Sequence, residues 1–269
     1  MATSTTSNPA LILRASTLAY LGIMVVLPLA ALTIQAFELG PSAFWKAVTD
    51  PFAWHALKLT FATAFVMVGI NAVMGTATAW VLVRYDFPGK GLMNALIDLP
   101  FAVPTVVTGL MLVALYGPSS TLGTILGRAG LAVIYQQPGI VLALLFVTYP
   151  FVIRSVQPVL LEIDQGEEEA AATLGATPWT IFHRVTLPTL FPSILTGTAL
   201  AFSRALGEFG SVVMVAGNRP LETKTGPMYV FGEIESGNRH GAMVVSVVLL
   251  AVSLGILIAL NLIQRTRKS

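Results

Sequence analysis

The stretch Glu162–Pro188, EIDQGEEEAAATLGATPWTIFHRVTLP, is polar, lies between two apolar runs, and reads as a hairpin of two short helices over residues 164–188. Asp164 is placed to cap the first helix. Glu167, Glu168 and Glu169 follow in its first turn, where carboxylates meet the positive end of the helix dipole. Gly175 ends that helix as a residue free to adopt a left-handed conformation. Thr177 and Pro178 form an N-cap and first-turn pair that opens the second helix through Trp179, Ile181, Phe182 and Val185. Pro188 is expected to close the unit.

Working outward, apolar runs cover residues 139–156 before the hairpin and 190–216 after it, with further runs at 18–37, 59–83, 95–116 and 243–263. Each is close to the span length of about 20 residues that a bilayer requires. Hydrophobic residues make up 55% of the 269 and charged residues 10%, against about 25% charged in soluble domains. Mean hydropathy is +0.79. The first run follows Arg14, a pattern shared with signal peptides, but five more runs of the same kind make it a span. The expectation is an all-α membrane protein in which residues 1–269 form a single transmembrane domain of six helices.

A pair of short helices of this composition also resembles a helix-turn-helix reader of DNA. Three consecutive glutamates at its start would repel phosphate, and both flanks enter the bilayer within a few residues. A stiff hairpin with an acidic face and an apolar ridge of Trp179 and Phe182, held between two membrane helices, is better shaped as a lever for a cytoplasmic protein. The net charge of +2 likewise gives no bulk attraction for nucleic acid.

An even number of spans puts both termini on one side. With the N-terminus inside, the Lys and Arg residues near span ends number eight inside and six outside. The cluster Arg265, Arg267 and Lys268 directly after the last run resists translocation. Both termini and the hairpin are therefore expected in the cytoplasm.

Prolines interrupt the runs at Pro28, Pro100, Pro104, Pro150 and Pro192, and each frees a backbone carbonyl. In hydrocarbon, neighbouring helices, water or hydroxyls such as those of Thr105, Thr108 and Thr148 must satisfy it. Kinked helices in a bundle and the broken helices of a transporter both fit. Arg204 and Glu208 interrupt the fifth run, where each charge costs about 2.5 to 3.5 kcal/mol on insertion scales. Spaced by four, they can pair on a helix. Ser203, Gly207 and Ser211 repeat at the same interval, a small-residue stripe for close helix approach. Arg204 is either a donor to a passing dianion or half of an ion pair that fixes packing or a gate, and both roles stay open.

Several chemistries are excluded. Cysteine is absent, and His55, His183 and His240 have no ligand-like spacing, so no metal site is expected. Gly89-Lys90 has Arg84 where a phosphate-binding loop needs its first glycine, so the chain is not expected to hydrolyse ATP. No credible catalytic triad and no carboxylate pair placed for acid–base work is found, and neither an enzyme nor a bound cofactor is expected.

Glu169-Ala170-Ala171, then Gly175, then nine residues and Val185-Thr186-Leu187-Pro188, resembles the EAA-x3-G-x9-I-x-LP signature of binding-protein-dependent ABC importer permeases, with Val185 for Ile as the departure. RYDFPGK (84–90), DLPFAVPT (98–105), PFVIRSVQPV (150–159) and RALGEFG (204–210) extend the likeness over most of the chain. They are similar to sulfate/thiosulfate permeases of the T type, with the W type and molybdate or tungstate permeases as near alternatives. The resemblance implies a type I ABC importer transmembrane domain in a bacterial inner membrane. It implies that Glu169, Ala170, Ala171, Gly175, Trp179, Leu187 and Pro188 dock on an ATPase subunit. The implied partners are a homologous permease in a heterodimer, two ATPase subunits that use ATP and Mg, and a periplasmic sulfate-binding protein. Ser203, Arg204, Gly207, Glu208, Thr105 and Thr108 are the candidates for the pathway or its gate. A secondary anion transporter is the alternative class, but an ion-driven carrier has no reason to carry such a hairpin.

Overall fold

The computed structural model describes residues 9–266; the expected basic tail residues Arg267 and Lys268 lie outside them, and the side chain of Arg265 is not described. The helices in order are α1 Pro9–Leu21, α2 Leu27–Ala36, α3 Pro41–Val48, α4 Pro51–Arg84, α5 Lys90–Ala102, α6 Thr105–Tyr116 and α7 Thr121–Arg128. They continue as α8 Gln137–Glu162, α9 Gln165–Thr173, α10 Pro178–Ile181, α11 Leu187–Leu206, α12 Gly210–Ala216, α13 Gly226–Glu235 and α14 Arg239–Thr266. Five stretches are long and apolar enough to span a membrane: 12–36, 51–84, 137–162, 178–206 and 239–262. The bent pair α5 and α6 brings the number to six when it is counted as one broken span.

The core forms where α4, α8 and α11 cross. A Cβ on Gly75 of α4 would lie 2.9 Å from Val152 Cβ, and one on Gly197 of α11 would lie 2.7 Å from Val152 Cα. Two glycines thus let both helices close on one fully buried residue of α8. A polar link crosses the same core: Asn71 Nδ2 donates to Thr148 Oγ1 at 2.9 Å, and Thr148 in turn donates to Leu144 O. Asp50 begins α4 by accepting from the amides of Phe52 and Ala53. α14 packs on α11 and α13, and α2 lies on α14.

Two of the six expected spans are not continuous helices. The run 95–116 bends by 115° between α5 and α6. Val103 is extended (φ −88°, ψ 128°) because it precedes Pro104, which disfavours helical geometry in the residue before it. The run 190–216 stops at Leu206, and the chain resumes as α12 only at Gly210. At its other end this span begins earlier than expected. Pro188 does not close the hairpin: Pro178–Leu206 is one uninterrupted helical stretch. The stretch stays continuous through a π turn, Phe182–Thr186, in which the Leu187 amide donates to Phe182 O five residues back. The wider turn changes the hydrogen-bond register just where Pro188 has no amide to offer. Pro28 is accommodated in the same way, after the π turn Gly22–Val26.

Candidate functional site

Two regions hold the residues singled out from the sequence. The first is the hairpin α9–α10. The Asp164 carboxylate accepts from the Gly166 amide at 2.9 Å, and Glu167 and Glu168 occupy the first turn of α9. Gly175 takes φ +83°. Its amide bonds to Ala172 O, and the Ala176 amide reaches back to Ala171 O. These two bonds form a Schellman motif, which needs a left-handed residue at that position. Thr177 Oγ1 accepts from the Thr180 amide at 3.3 Å and starts α10 on Pro178.

At the hairpin tip Leu174 is 89% exposed and Trp179 is 69% exposed, while Glu169 and Ala170 are also at the surface. Ala171 and Leu187 are half-buried and Pro188 is exposed. Two large apolar side chains beside surface carboxylates suit contact with another protein. Sequence reasoning named Trp179 but missed Leu174; its place next to the left-handed glycine was the available signal. Phe182 turns inward instead of completing an exposed ridge, with its ring edge-on to Trp80 of α4 at 5.4 Å.

The second region is the gap between α11 and α12. Arg204 Nη1 lies 2.8 Å from Glu208 Oε2 although the helix ends between them. Glu208 is 1% exposed at its side chain, against 37% for Arg204. The other carboxylate oxygen, Oε1, accepts from the amide and the hydroxyl of Ser211, each at 2.9 Å. Glu208 therefore neutralises Arg204 and also satisfies the start of α12.

Glycines bring α6 onto α12 here. A Cβ on Gly210 would lie 2.2 Å from Thr105 Oγ1, and one on Gly109 would lie 2.7 Å from Ser211 O. Thr105 is thereby brought beside the Glu208 segment. Thr108 is buried, and its hydroxyl has no hydrogen-bond partner. Ser203 and Gly207 face elsewhere, into a cleft of about 340 Å³ shared with Pro227 and Val230 of α13 and with Ser246 of α14. Gly207 meets nothing within 4 Å of a built Cβ, so the expected stripe of Ser203, Gly207 and Ser211 is not one packed face in this chain. The break in the helix disrupts the four-residue periodicity on which that expectation relied.

Among the described residues, two further ionic links join separate helices and went unassigned in the sequence. Glu168 Oε1 lies 2.6 Å from Arg84 Nη2 and also accepts from Thr186 Oγ1 at 2.8 Å. Arg154 holds Asp98 through two hydrogen bonds, from Nε at 2.8 Å and from Nη2 at 2.6 Å, and it also binds Asn94 and Gln157. That link ties the bent helix α5 to α8.

The family described as "Binding-protein-dependent transport system inner membrane component" matches residues 71–268. A probable sulfate transport system permease protein cysT of Chlorokybus atmophyticus is 45% identical over 248 residues, 92% of this chain and 87% of that protein. The sulfate transport system permease protein CysT of Escherichia coli (strain K12) is 41% identical over 249 residues, 93% of this chain and 90% of that protein. Among solved structures, a chain of a bacterial alginate ABC transporter in complex with alginate pentasaccharide-bound periplasmic protein has a TM-score of 0.77 at 18% identity, covering 96% of this chain and 94% of that one. A chain of the inward-facing MetNI methionine ABC transporter has a TM-score of 0.58 at 20% identity, covering 84% and 98%. At these identities the solved structures support the type I importer fold and nothing finer.

Proposed function

The chain belongs to the binding-protein-dependent transport system inner membrane component family, a multi-pass membrane permease of an ABC importer, and from that premise we propose that it forms the path by which sulfate or thiosulfate crosses a bacterial inner membrane. The observation that carries this reading is identity of 41–45% over more than nine-tenths of the chain with proteins named sulfate transport permeases. The hairpin supports the manner of driving. Leu174 and Trp179 stand exposed beside Glu169, and α10 runs without a break into α11, so a push on the tip reaches the membrane.

In this reading the ATPase subunits bind ATP and Mg and dock on Glu169–Gly175 and Trp179, while this chain binds no cofactor and catalyses no reaction. A homologous permease completes the path as a heterodimer, and a periplasmic sulfate-binding protein delivers the anion. Both termini are cytoplasmic, on the hairpin side. Arg204 presents a partly exposed guanidinium whose charge Glu208 offsets, an arrangement that attracts a dianion without holding it tightly.

Uptake of labelled sulfate by the complex reconstituted with its ATPase, second permease and binding protein tests the reading. Competition by excess thiosulfate and little effect of phosphate are expected. Preferential competition by molybdate would reassign the substrate. The sidedness test uses the natural absence of cysteine. A single Thr173→Cys on α9 should be shielded from an impermeant external thiol reagent, and Leu131→Cys, before the opposite end of α8, should react. The reverse pattern would overturn the orientation.

A further inference from the structure

The hairpin is joined to the membrane helices covalently at both ends, α8 leading into α9 through Ile163 and Asp164, and by a further contact across space. Along the chain, α10 continues through the π turn into α11. Across space, the link is Glu168. Its carboxylate oxygen Oε1 lies 2.6 Å from Arg84 Nη2 at the last residue of α4 and also takes the hydroxyl of fully buried Thr186 at 2.8 Å. The side chains are only 15% and 20% exposed for Arg84 and Glu168. Among the described residues no other ion pair ties α9 or α10 to the rest of the chain.

Rings extend the contact. The Arg84 guanidinium lies over Trp80 at 5.1 Å, Trp80 meets Phe182 edge-on at 5.4 Å, and Phe182 stacks on Trp179 at 5.8 Å. A closed loop of contacts therefore runs from the exposed tip through Trp179 and Phe182 to α4, and back through Arg84 to Glu168 on α9. The C-terminal end of α4 carries the helix's negative pole, which holds Arg84 there independently of the hairpin.

We propose that the Arg84–Glu168 pair is a positioning strut that makes the hairpin and the end of α4 move as one body, so that displacement of the tip by the ATPase is delivered to α4 as well as to α11. The need is geometric. α4 and α11 both pack through glycines against Val152 of α8, the helix that leads into α9, so a push that reached α11 alone would move one wall of that close contact while the other stayed behind. An ion pair of low exposure with a second donor is short and directional, unlike a surface pair that rearranges freely. Glu169, the neighbour that carries the family signature, points outward, so the two adjacent glutamates divide the work: one outside for the partner, one inside for the strut.

The strut rests on the importer reading, and its test is built so that the two fail separately. Wild-type complex that moves no sulfate counts against the importer reading alone. In complex that does transport, Glu168→Gln and Arg84→Gln should still co-purify with the ATPase and hydrolyse ATP, but sulfate moved per ATP should fall about tenfold, the loss of one charge-assisted bond. The exchange Arg84→Glu with Glu168→Arg should restore part of that ratio, which a merely structural loss would not do. An unchanged ratio in both single variants overturns the proposal.

A second measurement leaves the pair intact and stands even if those variants do not assemble. Nitroxide labels on Thr173→Cys of α9 and Val81→Cys of α4 should keep their separation within about 1 Å between nucleotide-free and ATP-trapped complex. A change of more than about 2 Å, the scale of helix shifts in switching proteins, would show that the hairpin moves apart from α4 and would overturn the strut.

Discussion

Helix α11 is treated differently at its two ends. At one end it passes through a π turn into the hairpin without a break in the helix, and the ion pair there is 15% and 20% exposed. At the other end it stops dead at Leu206, and a carboxylate with 1% exposure bridges the gap to α12. On the importer reading proposed above, the first end transmits, since continuous backbone carries displacement. The second is built to hold, since Glu208 has its bonds to Arg204 and Ser211 in a region where any unpaired charge is costly.

The largest effect is expected at the holding end. Arg204→Met leaves the Glu208 carboxylate buried without its cation, a loss of about 3 to 5 kcal/mol for a broken buried pair. Folded yield in detergent should collapse. Glu208→Gln should be milder, because its amide oxygen still accepts from Ser211 and because Arg204, 37% exposed, keeps some access to water. The double variant should recover folding relative to Arg204→Met. If it folds, supports ATP hydrolysis and moves no sulfate, Arg204 acts in the pathway and not mainly in the pair.

At the transmitting end, Gly175→Val forces φ +83° on a β-branched residue, at roughly 1–2 kcal/mol. A built Cβ meets nothing within 4 Å there, so conformation and not crowding sets the effect. Insertion and yield should be near normal while association with the ATPase and sulfate uptake fall. Wild-type uptake in this variant would remove the distinction between the two ends. Smaller again, Ser211→Ala deletes one hydroxyl bond to Glu208 but leaves the amide bond, and should lower stability by about 1 kcal/mol, measured as a modest drop in Tm.

The same contrast explains what the sequence could and could not disclose. The caps at Asp164 and Thr177 and the left-handed Gly175 depend on residues within a few positions, so their chemistry was readable in order along the chain. The gap after Leu206 lies inside a run that is apolar on both sides, and hydropathy passes over it; Pro104 marked an interruption in its run but left a kink and a broken helix both open. The close approaches of Gly210 to Thr105 and of Gly109 to Ser211 bring together residues a hundred positions apart, and periodicity is blind to these. Likewise, three consecutive glutamates look equivalent in sequence. Only the position of Arg84 at the end of α4 selects Glu168 as the one that turns inward.

Proline gives the finest test of the transmitting end. Pro28 and Pro188 each follow a π turn by one residue, and in both cases the residue before the proline bonds five positions back. An α register would set the proline ring against the carbonyl four residues behind, and the wider turn relieves that clash. Replacement by Ala supplies the missing amide and removes the reason for the π turn, so either variant should stay within about 1 kcal/mol of wild type in stability. Their functional consequences should differ. If the turn at 182–186 tightens to α geometry, one residue shifts register and the hairpin rotates about the α11 axis, misaligning Trp179 and pulling Glu168 from Arg84. Pro188→Ala should therefore lower sulfate moved per ATP by about twofold or more. Pro28→Ala, in a span that carries no such hairpin, should leave that ratio unchanged. Equal loss in the two variants would mean that the π turns matter only for packing in the membrane, and the continuity between α10 and α11 would lose its mechanical meaning.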